Sequence, residues 1–76
     1  MFVVSGECIF NLNMISKCLL VNYEDGTGRI EFIYPDGEYA SITGTEAEMQ
    51  FKYQQIIRGL TRGFSALDIG IAMIEA

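Results

Sequence analysis

Arg29-Ile30-Glu31-Phe32-Ile33-Tyr34-Pro35-Asp36-Gly37 is the stretch from which the fold is read. Ile30, Phe32 and Tyr34 lie on one side of an extended chain and Glu31 on the other, the period of two that a half-buried strand requires. Pro35 presets φ for a turn, and Gly37 supplies the left-handed position of a bulged three-residue loop. The stretch predicts a strand and the hairpin that reverses it, with a return strand over about residues 38–42.

Toward the C-terminus the period changes at Thr43-Gly44-Thr45-Glu46-Ala47-Glu48. Thr45 followed three residues later by Glu48 forms a capping box, in which each side chain satisfies a free backbone donor of the other residue. A helix is therefore predicted over about residues 45–62. At about 100° per residue, Met49, Tyr53, Ile56, Ile57, Leu60 and Phe64 share one arc, the pattern of a face laid on a sheet. Glu46 and Glu48 near its start and Arg58 and Arg62 near its end match the helix dipole, and Gly59 or Gly63 is expected to terminate it. Ser65-Ala66-Leu67-Asp68 offers a cap for a second, short apolar helix over about residues 66–75, although Ile69-Gly70-Ile71-Ala72-Met73 also alternates like a strand.

Toward the N-terminus, Glu24-Asp25-Gly26-Thr27-Gly28 reads as a turn whose two glycines allow positive φ, preceded by a strand over residues 17–23. Cys8, Phe10 and Leu12 alternate with Ile9 and Asn11 in an earlier strand, and Asn11-Leu12-Asn13 has turn chemistry. A hairpin centred on Asn13 would set Cys8 opposite Cys18, although a register slip of one residue breaks that pairing, and both are expected as plain core thiols. Phe2 to Val4 either extend the first strand or form an edge. The expected fold class is α+β: a three- to four-stranded antiparallel β-meander over about residues 7–43, packed by the helix at 45–62, with the C-terminal helix at 66–75.

Composition bounds the rest. Seventy-six residues, 50% hydrophobic and 20% charged, make one domain over residues 1–76, too apolar for disorder. A domain of this size buries only about 60% of the surface of its unfolded chain, so help from a disulfide, a metal or a second subunit is expected. With no His and two Cys, no metal site and no cofactor site are expected. The start of the chain lacks a secretory signal and the longest apolar runs are far too short to span a bilayer, which points to a reducing cytoplasm. Net charge −5 argues against direct nucleic-acid or anionic-membrane binding.

Lack of His removes the commonest general base and with it the Ser–His and Cys–His nucleophilic pairs, and no glycine-rich phosphate loop or CxxC is present. No catalytic residue is assigned, and the chain is expected not to be an enzyme. Three surface sets remain. Phe51, Gln55, Arg58 and Arg62 lie on the helix stripe opposite the apolar arc, the composition of an interface hot spot. Ile69, Met73 and Ile74 are the candidates for self-association into a homodimer or larger assembly, because an element apolar all round needs burial. Glu24, Asp25, Asp36 and Glu38 form an alternative acidic surface.

The outline of Phe10-Asn11, Asn13, Ile15, Ile30-Glu31-Phe32, Asp36-Gly37 and a helix after Thr45 resembles small bacterial meander-plus-helix proteins, a family of flagellar regulators among them, over about residues 6–60. The likeness consists of strand alternation and hairpin glycines, and it transfers no functional residue. Three functions are expected in order. The first is a non-catalytic protein–protein interaction module that also self-associates. The second is an acidic inhibitor or nucleic-acid mimic that blocks a nucleic-acid-binding protein, of the kind mobile elements encode. The third is an enzyme or small-ligand binder with its site between subunits.

Overall fold

The computed structural model describes residues 1–6 and 8–70. Six strands and one long helix follow in the order β1 (Phe2–Ser5), β2 (Cys8–Asn11), β3 (Lys17–Asn22), β4 (Thr27–Ile33), β5 (Tyr39–Thr45), α1 (Glu46–Arg62) and β6 (Ala66–Asp68), with a single 3-10 turn at Leu12–Met14. The strands form two three-stranded sheets, β2-β1-β6 and β3-β4-β5. The α+β class is as the sequence predicts, and the second sheet is the expected antiparallel meander, with Ile30 opposite Leu20 and Ile42, and Phe32 opposite Cys18 and Ala40. These rows face inward, because residues directly opposite one another project to the same side of a sheet.

The expected first hairpin does not form. Asn11 caps the 3-10 turn, its Oδ1 accepting the Asn13 N–H at 3.0 Å, so the chain leaves β2 sideways and begins a new sheet at Lys17. β2 instead pairs backwards with β1 through a tight reversal in which Gly6 has φ +60°, in the register Val3 to Phe10 and Ser5 to Cys8. Phe2 to Val4 are thus neither an extension nor an edge, since β1 is the central strand of its sheet.

The second departure is at the C-terminal end. Of the helix expected over residues 66–75, Ala66–Asp68 form a strand parallel to β1, and residues 71–75 lie outside those described. Ser65 caps no helix; its carbonyl accepts the Phe2 N–H at 2.9 Å, while the Ile69 N–H donates to Val4 O at 2.9 Å. Without β6 those outer groups of β1 would lack protein partners, a cost that favours the strand. Asp68 Oδ1 also takes the Gly70 N–H at 2.8 Å, a local bond that competes with helix formation.

α1 begins as the sequence specifies. The Thr45 Oγ1 accepts the Glu48 N–H at 3.1 Å and Glu48 Oε1 accepts the Thr45 N–H at 3.0 Å. Gly63, with φ +75°, terminates it in the left-handed conformation that favours glycine. Gly28, expected at a positive φ, has another use: a Cβ there would lie 3.2 Å from Met49 Cβ and 3.3 Å from Glu46 Cα, so its absence lets the helix start close to β4.

The two sheets meet through Phe10 and Phe32, whose rings stack with centroids 4.2 Å apart and planes 16° from parallel. Around them lie Val3, Ile30, Ile42, Met49, Ile56 and Ile69. Phe32 is fully buried. Phe32→Ala should cost about 3–5 kcal/mol, comparable to the whole stability of a small domain, so urea titration followed by circular dichroism should find it largely unfolded.

The capping box gives a pH dependence of known sign. Hydrogen bonds from the Thr45 N–H, and then from its hydroxyl, hold the Glu48 carboxyl below its ordinary value of 4.5. A depressed folded-state pKa contributes stability above the unfolded value and loses it as pH falls through the folded one. The acid limb of the wild-type unfolding curve below pH 4.5 should therefore be steeper than that of Glu48→Gln, and equal slopes would contradict this origin.

Candidate functional site

The buried stripe of α1 determines which side chains remain for a partner. Only Met49, Ile56 and Gly59 are fully inward. Tyr53 is half-buried, and its hydroxyl donates to the Cys18 carbonyl of β3 at 3.3 Å. On the other flank, the Lys52 ammonium donates to the Ile69 carbonyl just after β6. A Cβ at Gly59 would sit 3.0 Å from Met1 Sδ and 3.5 Å from Leu67 Cδ2, so the last turns of the helix press against the first sheet. The helix is thus rotated toward its Lys52 and Gly59 side by contact with two sheets rather than one.

That rotation corrects the apolar arc. Ile57, Leu60 and Phe64, expected in the core, are exposed. Leu60 shares the azimuth of Met49 and Ile56 but lies where the neighbouring sheet has moved to the Gly59 side. The opposite stripe is as expected in part: Phe51 is 65% exposed, Arg58 and Arg62 are exposed, and Gln55 is half-buried. Among the described residues neither arginine makes an ion pair, the one salt bridge being Arg29 to Glu31 at 2.5 Å on β4. That pair faces away from the core, with the Arg29 guanidinium 5.6 Å from the Tyr23 ring centre. Such surface pairs contribute about 0–1 kcal/mol.

The self-association set is divided. Ile69, expected at an interface, is 4% exposed and packs in the chain's own core, because β6 carries it beneath β1; Met73 and Ile74 lie outside the described residues. The acidic set does not form one surface. Glu24 and Asp25 occupy the turn before β4 and Asp36 and Glu38 the turn after it, at opposite ends of a seven-residue strand and roughly 20 Å apart. Asp25 Oδ1 accepts the Thr27 hydroxyl at 2.6 Å and its N–H at 3.0 Å, and these bonds, the hydroxyl first, hold its carboxyl below its ordinary value. Asp36 Oδ1 likewise accepts the Glu38 N–H at 3.0 Å.

Other chemistry is sparse. Among the described residues there is no group of three or more Cys, Asp or Glu able to hold a metal ion, and no helix long and apolar enough to cross a membrane. The two cysteines, which a hairpin centred on Asn13 would have set opposite each other, lie in different sheets and are free thiols. Cys18 packs against the core, whereas Cys8 is exposed at the end of β2 and is not the core thiol expected. Sequence reasoning missed the exposure of Ile57, Leu60 and Phe64. The signals lay in Ser5-Gly6, a turn dipeptide that announces a second sheet, and in Gly59, the small residue that a close neighbour requires.

Comparison with protein-family models, with curated proteins and with solved structures finds no match. The outline shared with flagellar regulators accordingly carries no assignment beyond the alternation it rests on.

The thiols give a direct check of the two-sheet arrangement. Burial pushes the Cys18 thiol up to about 11, which leaves on the order of one thiolate per thousand at pH 8. In the native, reduced protein, a thiol reagent should modify Cys8 promptly and Cys18 at least about tenfold more slowly, the difference vanishing in urea. Two equally fast thiols, or none, would contradict the placement.

Proposed function

We propose that the chain is a non-catalytic protein–protein interaction module whose contact surface is the exposed side of α1. One observation carries this reading: a helix of 17 residues turns three inward and leaves Phe51, Ile57 and Leu60, with Phe64 just beyond its cap, to solvent. Single exposed apolar residues are ordinary, but several on one element favour contact with a partner. Arg58 and Arg62, on the same stripe as Phe51 two and three turns further along, strengthen the reading, since arginine and aromatic side chains dominate interface energetics and a guanidinium that pairs with no described carboxylate is available to a partner's carboxylate or aromatic ring.

Self-association belongs to the same reading with a changed location. With Ile69 in the core, the surface for a second copy moves to Ile57 and Leu60, three residues apart on the helix, and to the exposed edge of Phe64 beyond the Gly63 cap, whose ring lies on the Gly59 side. The acidic-inhibitor reading needs carboxylates arrayed along one face, and the separation of the two turns by β4 gives it no support.

Two double variants test the proposal, Phe51→Ser with Arg58→Glu and Leu60→Ser with Phe64→Ser. Because all four side chains are exposed, each pair should shift folding stability by no more than about 1 kcal/mol in urea titration. Affinity capture from native cells should lose specific partners with one or both, and sedimentation should show whether the second pair alone dissociates an assembly. Retention of every wild-type partner and of the wild-type sedimentation coefficient by both variants would refute the proposal.

A further inference from the structure

A shallow cleft of ≈540 Å³, open to solvent over most of its extent, lies between the 3-10 turn and the β4–β5 hairpin, lined by Met14, Ile15, Tyr34, Pro35, Asp36 and Glu38. Its size is within the range of about 300–1,000 Å³ typical of ligand sites. The lining is mostly apolar: Met14 is 62% exposed, and Ile15 and Tyr34 are half-buried. The polar groups on the hairpin side are two carboxylates, and no Lys or Arg is among the lining residues. Asn13 completes the opposite lip, where its Oδ1 accepts from the N-terminal ammonium at 3.5 Å.

Both walls are held by short-range hydrogen bonds. On the hairpin side the Tyr34 N–H donates to Glu38 O at 2.8 Å, the Gly37 N–H to Tyr34 O at 3.0 Å and the Glu38 N–H to Asp36 Oδ1 at 3.0 Å. On the other side Asn11 Oδ1 holds Asn13, and the Ile15 N–H closes the 3-10 turn on Leu12 O at 3.3 Å. A preformed cleft loses little entropy when occupied. Asp36 uses one oxygen to keep the turn, whereas the Glu38 carboxylate makes no hydrogen bond or ion pair to a described side chain and is free to meet an incoming charge.

We propose that this cleft binds a short peptide segment of a partner protein that carries an arginine or lysine beside large apolar residues. The aliphatic or aromatic side chain occupies the Met14, Ile15, Tyr34 and Pro35 floor, and the cation pairs with Glu38. Charge complementarity supports a basic group on the hairpin side: the two carboxylates there act in a chain of net charge −5, whose overall field draws cations, while the N-terminal ammonium stands at the opposite, Asn13 lip. The site is separate from the exposed side of α1, so either reading can fail while the other stands.

The probe is acetyl-Leu-Arg-Phe-amide, titrated into the isotope-labelled full chain and followed by amide chemical shifts. Saturable shifts should concentrate at residues 13–15 and 34–38, and acetyl-Leu-Glu-Phe-amide should bind at least about tenfold more weakly. Glu38→Gln should weaken the basic peptide about fivefold, and Met14→Ser should weaken both peptides, each with an otherwise wild-type spectrum. Both residues are exposed, so neither change threatens folding. Equal affinity for the two peptides, shifts centred elsewhere, or no saturable shift would overturn the proposal. So would arginine ethyl ester binding as tightly as the peptide, which would make the cleft a site for small cations.

Discussion

The stacking of Phe10 on Phe32 is the contact on which the molecule depends, because it joins two sheets that share no strand. Each sheet has three strands and an apolar face that must be covered by another layer. Stacking the two rings closes one side of the core, and α1 closes the rest by lying against β4 and reaching β6. An aromatic pair of this kind adds about 0.5–1.5 kcal/mol to the burial of its rings. More important is what it fixes in space. The first sheet sits over the last turns of α1, which sets the helix rotation and so decides which apolar residues face solvent.

The second sheet and the helix were legible in the sequence because local chemistry specifies them completely. Ile30 and Phe32 alternate with Glu31, Asp36-Gly37 closes the hairpin, and Thr45 with Glu48 forms the capping box where it was expected. The first sheet was not legible, for a physical reason. Its central strand is four residues long and its third strand joins from more than fifty residues away, so no local period reveals the pairing of Val3 with Leu67. Asn11 has the chemistry of a hairpin residue, yet its side chain caps a 3-10 turn, two uses that share the same bond from Oδ1 to an N–H two residues on.

The candidate surface was half legible for the same cause. Phe51, Arg58 and Arg62 lie far enough from the core arc that a rotation of the helix leaves them exposed. Ile57 lies on its shoulder and Leu60 within it but one turn further on, and there the position of the first sheet decides their fate. A helical wheel assumes one flat neighbour; α1 has two, on different flanks. Ile69 departs in the opposite sense: surplus apolar surface by its local pattern, it enters the core because β6 adds a third strand beside β1.

Four of the ten acidic residues have a local role in the backbone. All three aspartates accept a backbone N–H two residues on: Asp25 from Thr27, Asp36 from Glu38 and Asp68 from Gly70. Glu48 holds the start of α1 in the same manner. These carboxylates sit where the backbone needs an acceptor, at turn corners and a helix end, and their spacing follows the lengths of the strands between them. A surface that imitates a polyanion needs charges set by the repeat of its target. Here β4 sets the distance between the Asp25 and Asp36 turns, whereas the Glu38 carboxylate takes no part in turn chemistry.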